Sequence, residues 1–422
     1  MKVFKFGGAS VKNAEAVKNV AAVLRHFEGE SLLIVVSAMG KTTNGLERLV
    51  KAYVDHDSAA MQRIYDEVKD FHNEIIAGLL KRADSHAYDD IENLFIELEC
   101  LLETQAEGSY DYNYDQIVSY GEIFSSRILS TYLKESDIAN RWIDSRNFIQ
   151  TDNHYREGKV DWELTSTIIG RKLKPIVQKQ KVVTQGFIGQ TPDKQTSTLG
   201  REGSDYSAAI FAYGLDAESV TIWKDVAGVM NADPKRMPEA VKIDGLNYTV
   251  AIELAYYGAT VIHPKTIQPL QSKGIPLYVR SFMNPEAPGT EVSTFIQEEN
   301  TTPFYIFKDD QAYIRISSKD FSFIAEEHLT HIFALMSEFN VRANVMQNSA
   351  ISFSLVVNDD PLRVDALLKA LSTDYQVHSE RNTQLITVRN YENVDLQKLL
   401  GTRKVWLEQR GAKVLQLLAA EA

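Results

Sequence analysis

The order of apolar segments predicts an α/β fold built on a mainly parallel sheet, followed by smaller α+β modules. Three observations carry this. KVFKFGG and SLLIVVSAMG are short apolar runs that end in glycine-containing turns, with a helix pattern between them, as in a βαβ unit of a parallel sheet. Strand and helix patterns alternate again from VVTQGFIG to IPLYVRS. Beyond a turn-rich stretch the order becomes βαββαβ, with a shortened echo after it.

The first strand begins at Val3 and Phe4 and carries Lys5 towards its end, and Gly7, Gly8 and Ser10 lead into a helix beginning near Asn13. SLLIVVSAMG is a buried strand because its continuous apolar run is short and closes on Ser37, Ala38 and Gly40. From about 58 to 107 the apolar residues of IYDEVKDF and IENLFIELECLL recur at three and four, which predicts a helical insertion. Cys100 lies there and reads as a packing residue rather than a nucleophile, since no helix start or cation would lower its pKa. VVTQGFIG, SVTIWKD and IPLYVRS follow as strands, with SDYSAAIFAYGL and TVAIELAYYGA as helices. NPEAPGTEVSTFIQEENTTP has no sustained period and is read as a linker. AYIRISS, the stripe Leu329, Ile332, Phe333 and Met336, then ISFSLVV, Val364 to Leu371 and LITVRN complete βαββαβ. VDLQKLL, KVWLEQR and KVLQLLA form an incomplete second module. The expected divisions are 1–295, 303–390 and 385–422.

Composition narrows the function. With 422 residues and 44% apolar content the chain can build two or three cored domains. Lys and Arg number 45 against 57 Asp and Glu, a net charge of -12, which disfavours nucleic acid and anionic membrane as partners. Any anionic ligand must be met by a local cluster of cations or amides. One cysteine excludes an intrachain disulfide and a multi-cysteine metal centre. The absence of an apolar signal core, and of any apolar run near the roughly 20 residues that span a bilayer, points to a cytoplasmic protein.

Five segments carry chemistry. Lys5, Gly7, Gly8 and Ser10 ahead of a helix suit a phosphate, because glycines let N–H groups approach and lysine neutralises transferred charge; a strand-end turn is the alternative. SAMGKTTN is not a Walker A loop, since Val35 stands where that motif needs glycine. Its Ser37, Thr42 and Thr43 are phosphate or substrate ligands, or helix caps. Glu122 in SYGEIFSSRIL is a carboxylate for a substrate ammonium, or a complement to its helix dipole. In GFIGQTPDKQTSTLGREGSD, Arg201 offers a planar fork for an oxyanion, and Asp205 is an N-cap unless it lies beside Lys5. TIWKDVAGVMNADPKR places Lys224, Asp225, Asp233 and Lys235 around turns, as a nucleotide loop or a solvated one.

Taken together, KFGGASV, VVSAMGKTTN, SYGE, GFIG, TSTLGREGSD, IWKDVAGVMNADP and GATVIHPKTI, in that order, resemble the aspartate kinases of the amino-acid kinase family, followed by ACT-like sequence. The resemblance implies a carbamate-kinase-like three-layer α/β sandwich with C-terminal α+β ACT-like modules. It implies phosphorylation of the L-aspartate β-carboxylate by ATP with Mg2+, the first committed step towards lysine, threonine and methionine. It also implies an amino-acid effector and a homo-oligomer joined through the ACT modules. Carried onto matching positions, Lys5 stabilises the transferred phosphoryl and Asp205 organises the cationic site. Ser37, Thr43, Glu122, Arg201 and Ser204 fall at the aspartate. Lys5, Gly7, Gly8, Ser10, Lys224, Asp225, Met230 and Lys235 fall at the nucleotide.

Several positions depart from the family pattern. Ala9 stands for a frequent threonine, Glu202 for a glycine, Met230 for a stacking tyrosine and Thr260 for a nucleotide-contacting lysine. Lys265 is a displaced cation or a surface lysine, and His263 reads as structural. In the first ACT-like module Asn344 and Ala350 occupy places that carry acids in lysine-sensitive relatives. Gln347, Asn348 and Ser349 remain as neutral effector contacts, so weak or absent inhibition by lysine is expected. The rival readings are another amino-acid kinase of the same fold and a non-catalytic amino-acid sensor.

Overall fold

The opening run forms a strand, and the sheet is built outward from it on both sides. The computed structural model describes residues 1–80, 85–259, 262–296, 301–320 and 322–420, with no side chains described for 85–87. Two units divide the chain: Met1–Val229 with Lys242–Ile252 and Val261–Glu298, and Met230–Val241 with Glu253–Thr260 and Glu299–Ala422.

The strands of the first unit are β1 (Lys2–Phe6), β2 (Leu32–Val36), β3 (Asn140–Trp142), β4 (Lys181–Gln185), β5 (Ile188–Gln190), β6 (Thr196–Thr198), β7 (Ser219–Lys224), β8 (Gly245–Asn247), β9 (Leu277–Ser281) and β10 (Thr290–Ser293). Eight make one sheet in the order β3-β4-β2-β1-β7-β9-β10-β8. All neighbours are parallel except β10 against β9. Strand order reverses at β1, the place where ligands bind beyond the carboxyl ends of an open α/β sheet. β5 and β6 form a separate antiparallel hairpin.

Helices α1 (Ala14–Arg25), α2 (Thr42–Val54), α3 (Ser58–Leu79), α4 (Ser85–Glu103), α5 (Tyr110–Val118), α6 (Tyr120–Glu135), α7 (Trp162–Ile168), α8 (Lys174–Val177), α9 (Gly203–Leu215), α10 (Tyr248–Tyr257) and α11 (Pro264–Lys273) accompany these strands in chain order, the second half of α10 falling in the second unit. The Asn13 side chain caps α1 by accepting from Ala16 N–H, which explains the start expected there. Phe4, Phe6, Leu32, Ile34 and Val36 share one core with buried residues of α1 to α6. The alternate residues Val3, Leu33 and Val35 are equally buried, so the sheet is covered on both faces, and α9 packs against β1 and β2.

Three expectations change. The supposed linker contains β10, whose Thr290 and Val292 are fully buried between β9 and β8; four residues are too few to show a period. VVTQGFIG is two strands broken at Gly186 and Phe187, the latter with φ 69. Cys100 is exposed rather than packed, because the buried stripe of α4 is Ile91, Phe95, Leu98 and Leu102 and Cys100 lies off it.

The second unit continues with β11 (Phe304–Ser318), α12 (Glu326–Glu338), β12 (Ala343–Asn348), β13 (Ser352–Asn358), α13 (Pro361–Asp374), β14 (Tyr375–Arg389), α14 (Leu396–Leu400), β15 (Lys404–Arg410) and β16 (Val414–Ala420). They form an antiparallel sheet in the order β12-β13-β11-β14-β16-β15. β11 and β14 each serve two halves. Gln311–Ser318 pairs with β13 and with the start of β14, whereas Phe304–Lys308 pairs with Leu385–Arg389, which continues to β16. A register shift separates the halves, with Asp310 and Asn382 both left-handed. The strand missing from the shortened echo is therefore supplied from upstream of the first βαββαβ set.

Candidate active site

Loops after β1 and β2, with the first turns of α2, α6 and α9, enclose a cleft of about 810 Å³ in the first unit. It contains Lys5, Gly8, Ser37, Thr43, Glu122, Arg201, Ser204 and Asp205, which the sequence scatters over two hundred positions. Two backbone loops meet at its floor. Gly40 N–H donates to Gly8 O at 3.1 Å, and a Cβ on Gly8 would sit 2.8 Å from Ala38 O. Only glycine permits that approach. A Cβ on Gly7 would lie 3.3 Å from Lys5 Nζ, so this position keeps room for the amine.

Lys5 is the penultimate residue of β1, and its Nζ lies 2.6 Å from Asp205 Oδ1 in the first turn of α9. Their side chains are 12% and 6% exposed, so water screens the pair weakly. This decides the open reading of Asp205: it stands beside the lysine. Glu122 occupies the first turn of α6 and is 4% exposed. Its Oε1 accepts from Ala38 N–H at 3.2 Å, and its buried Oε2 has no partner among the described residues. Burial pushes the Glu122 carboxyl up to about 8, against the opposing Ala38 hydrogen bond and the charge of Lys5. A cation beside Oε2 would favour its ionised form.

Arg201 stands in an exposed turn between Gly200 (φ 77) and Glu202 (φ 54). Just past it, a Cβ on Gly203 would fall 2.5 Å from Phe187 Cδ2, and one on Gly186 equally close to Ser204 Cβ. These glycines let the β4–β5 break lie against the start of α9. The cleft thus holds Arg201, just ahead of the helix that carries the lysine's partner, together with the buried carboxylate of Glu122 at the start of α6.

The description "amino acid kinase family" is that of the family whose model matches residues 1–281. This chain belongs to the amino acid kinase family. The bifunctional aspartokinase/homoserine dehydrogenase 2 (chloroplastic) of Arabidopsis thaliana is 33% identical to it over 302 residues, 68% of this chain and 32% of the relative. The chain therefore spans about a third of that relative's length. The lysine-sensitive aspartokinase 3 of Escherichia coli strain K12 is 28% identical over 409 residues, 95% of this chain and 89% of the relative. The crystal structure of E. coli aspartokinase III in complex with aspartate and ADP (R-state) matches with a TM-score of 0.83 at 26% identity, over 100% of this chain and 96% of that one. The carbamate-kinase-like sandwich with a C-terminal α+β part is the fold of this amino acid kinase.

In this amino acid kinase the remaining expected residues fall outside the cleft. Ser10 is buried, with its hydroxyl 3.5 Å from Trp223 O, and Thr42 donates to Met39 O at 2.7 Å. Lys224 closes β7, the neighbour of β1, and Asp225 is exposed just beyond it. Met230 and Lys235 group with the second unit. His263 caps α11, its Nδ1 accepting from Lys265 N–H at 3.2 Å, and burial lowers its pKa. Thr260 lies outside the described residues.

The sequence reading missed Asp111, Tyr114, Asp115 and the segment His154–Lys159. All but Asp115 and Gly158 line the cleft. Asp115 is fully buried and accepts from Arg156 N–H (2.9 Å), Thr198 N–H (2.8 Å) and the Thr198 hydroxyl (2.7 Å), fastening two loops of the site. Desolvation still pushes its carboxyl up to about 6. The one local signal was an acid placed within an otherwise apolar helix face, YDQIV.

In the second unit the Asn344 side chain is fully engaged. It accepts from Lys308 Nζ at 3.0 Å and donates to Gln311 Oε1 and Asn358 Oδ1 at 2.7 and 2.8 Å. Gln347 and Asn348 are exposed on β12, and Ser349 N–H donates to Ser352 O at 2.8 Å.

Proposed function

We propose that this chain is an aspartate kinase, transferring the γ-phosphoryl of ATP to the β-carboxylate of L-aspartate. Glu122 carries the reading: a buried carboxylate with an unpartnered oxygen, in one cleft with Arg201 and the Lys5–Asp205 pair. An α-amino acid supplies the ammonium that Glu122 lacks and the carboxylate that the Arg201 fork receives. Ser37, Thr43 and Ser204 add neutral hydrogen bonds. This anchoring leaves the β-carboxylate as the free end.

The β-carboxylate is already ionised at neutral pH, so the attack needs no general base. Positioning and charge neutralisation supply the catalysis. Lys5, held in place by Asp205, meets the charge that develops on the phosphoryl oxygens, and the Gly7–Gly8 backbone presents N–H groups to the phosphates. Mg2+ would arrive with ATP and would neutralise part of the phosphate charge. The ADP of the E. coli structure supports a nucleotide as the phosphoryl donor, and Lys224, Asp225, Ser10, Met230 and Lys235 are its proposed contacts.

The second unit would act as an ACT-like regulatory part and join copies into an oligomer, with Asn344, Gln347, Asn348 and Ser349 facing any effector. No described helix is long and apolar enough to cross a membrane, and a cytoplasmic location completes the proposal. Trapping the acyl phosphate as a hydroxamate tests the activity. Product with ATP and L-aspartate is expected, and its absence, or equal product with L-glutamate, would overturn the assignment.

A further inference from the structure

Arg156 holds a left-handed backbone (φ 65) that a non-glycine, non-asparagine residue seldom adopts. Such strain persists where the surroundings impose it, and it gathers at functional sites. Here Asp115 imposes it by accepting the Arg156 N–H at 2.9 Å from a fully buried carboxylate. The same carboxylate takes both donors of Thr198, two residues before the Gly200–Arg201 turn. The two segments touch: a Cβ on Gly200 would stand 3.3 Å from Arg156 O. Both arginines therefore rise into the cleft from abutting backbones.

The guanidinium of Arg156 is also held ready. It lies 4.4 Å over the Tyr114 ring, and among the described residues its polar contact is Nη1 to Asp111 Oδ1 at 3.3 Å, leaving the Nε–Nη2 edge to receive a carboxylate. Asp111 itself is half exposed, so the pair is weakly held and readily exchanged for a substrate carboxylate.

We infer that Arg156 is a second substrate-binding arginine of the acceptor pocket, clamping the carboxylate that Arg201 receives and exchanging Asp111 for it. This rests on the aspartate kinase reading. The fork binds in two parallel bonds, so lysine replaces it only partly.

Arg156→Gly separates a binding role from a structural one, because glycine suits φ 65 while the side chain is lost. The full chain is assayed with L-aspartate and ATP varied separately, and its thermal midpoint is recorded. The inference expects the aspartate KM to rise tenfold or more, the ATP KM to stay within twofold, the midpoint to hold or increase, and Arg156→Lys to recover part of the loss. An aspartate KM within twofold of wild type in a folded Arg156→Gly protein overturns this inference alone. A wild type that neither binds L-aspartate by calorimetry nor phosphorylates it overturns both this inference and the kinase reading.

Discussion

Lys5 at the end of the first strand and Asp205 in the first turn of α9 are 2.6 Å apart, joining two segments two hundred residues distant in the chain. On the proposed function the pair gives the cleft a fixed cation that would need no rearrangement as the phosphoryl moves. Lys5→Ala should lower kcat by about 10²- to 10³-fold, the scale for removing one transition-state donor. Steady-state kinetics on a protein of unchanged circular dichroism checks this, and near-normal turnover would remove Lys5 from the mechanism.

Arg201→Ala should act on binding instead. Its side chain is exposed in this structure, so its strength must come from desolvation when a carboxylate arrives. A hydrogen bond to a charged group contributes about 1.5–3 kcal/mol, which corresponds to an aspartate KM raised roughly 10- to 150-fold. An aspartate KM that does not move would place the carboxylate elsewhere.

Glu122 makes the account sensitive to pH. Its folded pKa of about 8 lies above its ordinary 4.5, so its contribution to stability is full below the ordinary value and is lost as pH rises through the folded one. A bound ammonium favours the carboxylate, so the aspartate KM should fall as pH rises towards about 8 and flatten beyond it. Glu122→Gln should weaken aspartate while sparing ATP, lose that pH trend, and gain stability relative to wild type as pH rises. Urea unfolding across the pH range provides the second readout; a stability difference independent of pH would contradict the assignment.

Regulation by lysine should be weak. Asn344 is neutral, at a position where the resemblance implies an acid in lysine-sensitive relatives, and its amide is already occupied by Lys308, Gln311 and Asn358. A pocket without counter-charges distinguishes little between two states. Turnover titrated with lysine, threonine and methionine separately checks this; strong inhibition by submillimolar lysine alone would overturn it.

The parts of the site that were legible are those where one short segment carries both the fold signal and the chemistry. Lys5 with Gly7 and Gly8, Glu122 at a helix start, and LGREGSD each place a candidate side chain at the end of a strand or the start of a helix. Asp115 and Arg156 were not legible. Asp115 works through hydrogen bonds to residues 41 and 83 positions away, and Arg156 sits in a loop without period. Strands β10 and β14 show the same limit in the fold. β10 has four residues, and the first part of β14, YQVHSERNT, is largely polar and only partly buried, held by its pairing with β11.

The most direct test is ADP release from ATP with L-aspartate, L-glutamate and succinate supplied side by side. Succinate keeps both carboxylates of aspartate but has no ammonium for Glu122. Release is expected to depend on L-aspartate and to fall close to background with succinate. Equal release with succinate, or release indifferent to L-aspartate, would contradict the assignment.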